Sequence, residues 1–134
     1  MLVKVYHCGL SKINSFDFSN GVHFGGIYSA MEAALRKVNN PNIDTIHIHE
    51  CLLELPDYVP VEDDLGSNKA WRELATTWMN TNNYEMLQYC NRYEPDIDPS
   101  YYVLNPSLIK IKKVRTIRPY QAEAELDEFL NYDF

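Results

Sequence analysis

The chain has 134 residues, 46% of them apolar and 13% aromatic, enough for one domain with its own core and no disulfide staples. A net charge of −7 sets it against tight binding to a phosphate backbone, so a protein or small-molecule partner is expected rather than nucleic acid. No run of ~20 apolar residues predicts a membrane span, and Cys8, Cys51 and Cys90 fit no disulfide framework, so a reducing, cytoplasmic setting is expected.

In chain order, residues 2–8 read as a valine-rich, partly alternating strand that runs into His7-Cys8-Gly9. No signal-peptide apolar core precedes it. Residues 10–21 are a polar loop, and residues 22–25 a second short strand, Val22-His23-Phe24-Gly25. Two strand ends that each carry a histidine and glycine are a way to build one pocket: glycine lets a flat ligand lie on backbone, and imidazole supplies a donor or acceptor. Ser29 is expected to cap a helix that runs to Val38, ended by Asn39-Asn40-Pro41-Asn42. Residues 44–55 read as a strand with Ile46, Ile48 and Leu52 on one face and His47, His49 and Cys51 on the other. A proline-bearing acidic segment follows over residues 56–64. A helix is predicted from Lys69 to Met79, with Trp71, Leu74, Ala75, Trp78 and Met79 as its apolar stripe. Residues 86–91 and 100–105 read as strands, the latter apolar on both faces and therefore central. Residues 109–117 alternate apolar and basic, with a slip before Val114, and residues 119–134 form an acidic tail with Ala122, Leu126, Phe129 and Leu130 in helical register. This order predicts one α+β domain over residues 1–134 rather than a doubly wound one, and no Walker or Rossmann glycine loop is present.

Several of these residues, taken together, resemble a family. Tyr6-His7, Phe16-Asp17, Val22-His23-Phe24-Gly25, Ala33-Ala34 with Arg36, then Tyr89, Asn91 and Glu94, then the run from Ser100 to Lys110, follow the order and spacing of ADP-ribosyltransferase-like domains. That is the fold of diphtheria-type toxins and poly-ADP-ribose polymerases, and the chain is most similar to small phage and mobile-element proteins of this class. The resemblance spans about residues 2–115. It implies a split antiparallel β-sheet core with flanking helices, NAD as the small-molecule cofactor, and transfer of ADP-ribose to a cytosolic macromolecule, with a protein as the expected acceptor and phage–host conflict as the setting.

The resemblance also implies roles. His7 would hydrogen-bond a ribose hydroxyl of NAD, and the backbone of Cys8 and Gly9 would hold the nicotinamide amide. The family order is His-Gly-Ser/Thr, whereas His7-Cys8-Gly9 stands in this chain. His23 falls where a tyrosine stacks on nicotinamide, Tyr28 is a second candidate for that stacking, Phe24 faces the core, and Gly25 completes the block. Breaking the ribose–nicotinamide bond passes through an oxocarbenium-like state, which a carboxylate stabilises. In toxins and polymerases that glutamate directly precedes the Tyr-hydrophobic-Val strand. Ser100 stands at that place, and the match to the closer relatives makes Glu94 the acid. An alternative follows from the same serine: a catalytically inactive descendant that serves as a binding or inhibitor module.

Two further clusters have plainer readings. His47, His49 and Cys51 share a strand face, but i, i+2, i+4 side chains spread over about 13 Å, too far for all three to hold one metal ion. They are read as a polar strand face. Lys110, Lys112, Lys113, Arg115 and Arg118 are the basic cluster of an acidic chain and are read as solvating an outer strand.

Overall fold

The structure, a computed structural model, describes residues 1–16, 21–63, 69–90 and 98–132. In chain order the elements are β1 (Leu2–Gly9), β2 (Val22–Phe24), α1 (Ile27–Leu35), β3 (Ile46–Glu54), β4 (Val61–Asp63), α2 (Lys69–Asn82), β5 (Met86–Cys90), β6 (Ser100–Val103), β7 (Ile109–Ile117) and α3 (Pro119–Tyr132). A 3₁₀ turn at Pro106–Leu108 leads into β7; the Asn105 side chain caps it by accepting from the Ser107 N–H. The fold is α+β. One sheet has the order β1-β3-β7 and is antiparallel throughout; the other has the order β2-β6-β5-β4 and is antiparallel except for the β4–β5 pair. Among the described residues no helix is long and apolar enough to cross a membrane.

The period-2 alternation of the strands builds the layers. Val5 of β1 and Cys51 and Leu53 of β3 leave the first sheet towards the second, where Val22, Phe24, Met86, Tyr101 and Val103 meet them. The opposite face of the first sheet, with Cys8, Ile46 and Ile48, packs on Ala30, Met31 and Ala34 of α1 and on Ala122 and Leu126 of α3. The opposite face of the second sheet, with Leu87, Tyr89 and Tyr102, packs on Trp71, Ala75 and Met79 of α2. The order is helix pair, sheet, sheet, helix. β6 lies between β2 and β5 and is buried along its whole length, as its apolar faces require.

Where β1 and β2 end, Tyr6 and Gly25 exchange both backbone hydrogen bonds, at 2.8 and 3.1 Å. Among the described residues this one bridge ties the two sheets together beside the start of α1.

Several elements differ from the sequence expectation. Gly26, not Ser29, is the N-cap of α1, which therefore starts at Ile27 and ends at Leu35. The Tyr6–Gly25 bridge holds the chain up to residue 25, so the helix begins at once and Ser29 is buried in its first turn. Residues 61–63, within the acidic segment where the sequence predicts no element, form β4, paired in parallel with β5. α2 runs on to Asn82, and there Asn83 (φ 58°) ends it. The Tyr84 and Asn83 N–H groups bond back to the Met79 and Asn80 carbonyls, a Schellman arrangement. Leu74 and Trp78 are exposed rather than core, because the second sheet covers only the arc of Trp71, Ala75 and Met79. Leu130 of α3 is exposed as well.

The face of β3 read as polar is in fact the buried face between the sheets, where His49 and Cys51 are inaccessible. The slip in the basic strand is a bulge: Glu50 pairs with Lys113 and Cys51 with Ile111, which leaves Lys112 as the extra residue. β7 is an edge strand, as expected of its basic pattern.

Candidate functional site

Three histidines meet where the sheets join. β1 places His7 opposite His49 in the β1–β3 register. His49 Nε2 accepts the Ile13 N–H at 2.8 Å, so its proton is on Nδ1, which donates to the His7 carbonyl at 3.0 Å. A ring that accepts on one nitrogen and donates on the other is neutral. Burial lowers its pKa, in agreement.

The His7 ring repeats the pattern. Its Nδ1 donates to the His23 carbonyl at 3.0 Å, and burial lowers its pKa. Nε2 of a neutral His7 is then an acceptor. The ring packs edge-on against Phe16 at 5.2 Å and tilted against Phe24 at 5.9 Å.

His23 lies on the other face of the second sheet, in a ring cluster with Tyr102 (4.7 Å), Trp71 (5.5 Å) and Tyr89 (5.6 Å). Its Nδ1 is 2.7 Å from the Tyr89 hydroxyl. Burial, and then the nearby Arg72 charge, push its pKa down to about 4. Its Nε2 and the Arg72 Nε are buried without a hydrogen-bond partner among the described residues.

Of these side chains His7, Phe16, Phe24, His23, Tyr89 and Arg72 line a cavity of about 650 Å³, within the roughly 300–1,000 Å³ of small-molecule sites, with His49 behind it. Its walls come from the ends of β1 and β2, from α1, from the first turn of α2, and from Tyr89 and Ser100. Arg36, Lys37 and Arg72 bring three cations to it, and no carboxylate is among its described lining residues. In a chain of net charge −7 that is a local reversal of sign.

Two glycines make room for this arrangement. Gly21 has φ +75°, and a Cβ there would fall 2.5 Å from the Tyr102 ring. A Cβ on Gly25 would lie 3.0 Å from the Ser100 Oγ.

The two strand ends singled out in the sequence therefore converge: His7, Cys8, His23, Phe24 and Gly25 all line the one cavity. Phe24 is also core. Burial pushes the Cys8 thiol up to about 12, so it carries no thiolate at neutral pH. Gly9 and Tyr28 are not brought to the cavity; the Tyr28 ring stacks on Phe129 of α3 at 4.0 Å. Glu94, with Asp17 and Asn91 of the resembling motifs, lies outside the described residues. The basic cluster of β7 is elsewhere too: Lys113 approaches Glu50, and Arg115 pairs with Glu125 of α3 at 2.8 Å.

Sequence reasoning missed Lys37 and Arg72 as cavity residues. Lys37 follows Arg36 directly and could have been read with it. Arg72 had no signal, since nothing local says which way the first turn of α2 faces. Family models, curated proteins and solved structures offer no match to this chain.

Proposed function

We propose that the domain binds NAD in this cavity and transfers its ADP-ribose group to an acceptor, probed most simply as release of nicotinamide. The observation that carries the reading is the cavity itself: three cations and no described carboxylate around a neutral imidazole acceptor at the end of β1. A dinucleotide needs those groups, cations for its diphosphate and an acceptor for a ribose hydroxyl. In the reaction the ribose–nicotinamide bond breaks, nicotinamide leaves with the bonding pair, and an acceptor nucleophile takes the ribose carbon and gives up its proton. Glu94 is the acid in this reading. A split ADP-ribosyltransferase-like core is the corresponding fold assignment, supported by two sheets joined at one bridge beside the cavity.

Titration with NAD tests the binding half. A ligand that binds only the folded state raises the thermal midpoint by mass action, and low-millimolar or tighter affinity is expected. An unmoved midpoint at saturating NAD refutes the reading. Glu94→Gln tests the chemistry: NAD binding should persist while nicotinamide release falls by roughly 10²-fold, the size of a lost electrostatic contribution. Equal turnover in Glu94→Gln and wild type puts the acid elsewhere.

One observation favours a second reading. Ser100 lines the cavity at the start of β6, the place where the toxins and polymerases carry their acid. A binding or inhibitor module follows if NAD binds and no nicotinamide is ever released.

A further inference from the structure

The outward side of α2 carries an aromatic patch that the cavity does not use and that touches the core through Tyr84. Leu74 and Trp78, one turn apart, are 69% and 37% exposed, and Tyr58 and Val61 are 64% and 67% exposed. They are not scattered. The Trp78 ring meets Tyr84 edge-on at 5.2 Å, and Tyr84 meets Tyr58 at 5.5 Å. The first contact has a local cause: Tyr84 follows the left-handed Asn83 in the Schellman turn, which folds it back on the last turns of the helix. A continuous surface of one tryptophan and two tyrosines results, reaching from the helix towards the edge strand β4.

The patch has a charge of one sign around it. Asp57, Glu62, Glu73 and Glu85 are exposed, and each is the sequence neighbour of a patch residue. Among residues 56–62 and 70–85 the one cation is Arg72, which lines the cavity instead. Single exposed apolar residues need no explanation, but contiguous Trp and Tyr rings do. They are the residues that interfaces use as anchors. An acidic rim repels nucleic acid and anionic lipid and attracts Lys and Arg.

We propose that this face docks a protein partner through a cationic amphipathic helix, with apolar anchors on Leu74, Trp78 and Tyr84 and lysines or arginines against the carboxylates. The acidic rim selects the charge, and the ridge of residues one turn apart on α2 suits a helix laid alongside. A second copy of this chain is the poorer fit, because its basic strand β7 has no large apolar residue exposed to serve as anchor. The proposal does not depend on the NAD reading.

The test uses the full chain and a fluorescent amphipathic peptide of Leu and Lys at helical spacing, with a Leu/Glu peptide of the same spacing as comparator. The Leu/Lys peptide should bind, the Leu/Glu peptide should not, and Leu74→Ser with Trp78→Ala should weaken binding about tenfold or more, as loss of an anchor does. Tyr120→Ala, an exposed tyrosine on α3, should leave it unchanged. Glu62→Lys with Glu73→Lys leaves the core intact and should weaken Leu/Lys binding too, so the test stands even if the first pair fails to fold. The proposal is overturned by equal binding of both peptides, by no binding of the Leu/Lys peptide, by undiminished binding in both double variants, or by a dimer that Trp78→Ala dissolves.

Discussion

His49 accepts from the Ile13 N–H and gives its proton to the His7 carbonyl, while the His7 ring gives its own to the His23 carbonyl. The bond from Ile13 requires a neutral His49 ring, since a second proton there would set donor against donor, while burial is what holds His7 and His23 neutral. The unfolded chain has no such constraint and its histidines titrate near pH 6.5. Folded-state pKa values are lowered, so on acidification the unfolded state takes up protons first. Stability from His7, His23 and His49 is therefore fully present only above about pH 6.5 and declines below it, by up to about 1.4 kcal/mol per pH unit for a largely buried ring such as His23, whose decline continues to about pH 4. The check is a pair of measurements. Urea midpoints should fall between pH 7 and pH 5, and the His23 ring resonances should stay at their neutral positions over the same range. A His23 ring that titrates near 6.5 contradicts the burial that holds it neutral. At this scale the two strand-end histidines were legible, because a strand, a histidine and a glycine are a local signal. His49 was not. Its role is to hold residues 36 and 42 positions away, at Ile13 and His7, and no local pattern carries that.

α2 shows what periodicity can and cannot decide. Trp71, Leu74, Ala75, Trp78 and Met79 all fall on one broad helical face, and the sequence offers no reason to divide it. The division comes from the second sheet, whose Leu87, Tyr89 and Tyr102 cover Trp71, Ala75 and Met79 and leave Leu74 and Trp78 outside. The two tryptophans should therefore differ. Trp71→Ala empties the aromatic cluster around His23 and should cost about 3–5 kcal/mol, as large core truncations do. Trp78→Ala removes a ring that is 37% exposed and meets Tyr84 edge-on, outside the buried core, and should cost about 1 kcal/mol or less. Chemical denaturation of both variants decides it; comparable losses would mean that Trp78 is structural. β4 was illegible for a related reason. Three residues cannot declare a strand, and their pairing with β5 joins positions 27 residues apart.

On the scale of the molecule, two sheets with separate cores on their outer faces share one core between them and one backbone bridge, Tyr6 to Gly25. An α+β chain with a central strand at Ser100 could be read from the alternation of its segments. The way the sheets close on each other could not, since it rests on a bridge from Tyr6 to a glycine 19 positions on, which itself packs against Ser100 of β6. Gly25 sits against the Ser100 Oγ, with 3.0 Å left for a Cβ, and only 3.8 Å separates that Cβ from the serine's own Cβ. Gly25 is not at positive φ, so alanine fits its backbone and by itself would stabilise by about 0.4–1 kcal/mol through the unfolded chain. Against this stands the overpacking of the buried serine, about 1–3 kcal/mol. Gly25→Ala should therefore destabilise the wild type. In a Ser100→Ala background the hydroxyl is gone and the remaining contact is ordinary, so the same substitution should be neutral or stabilising. The double-mutant cycle read from urea midpoints should give a coupling of about 0.5–3 kcal/mol. If Gly25→Ala costs the same with and without the Ser100 hydroxyl, the serine is not what demands a glycine at the residue that bridges the sheets.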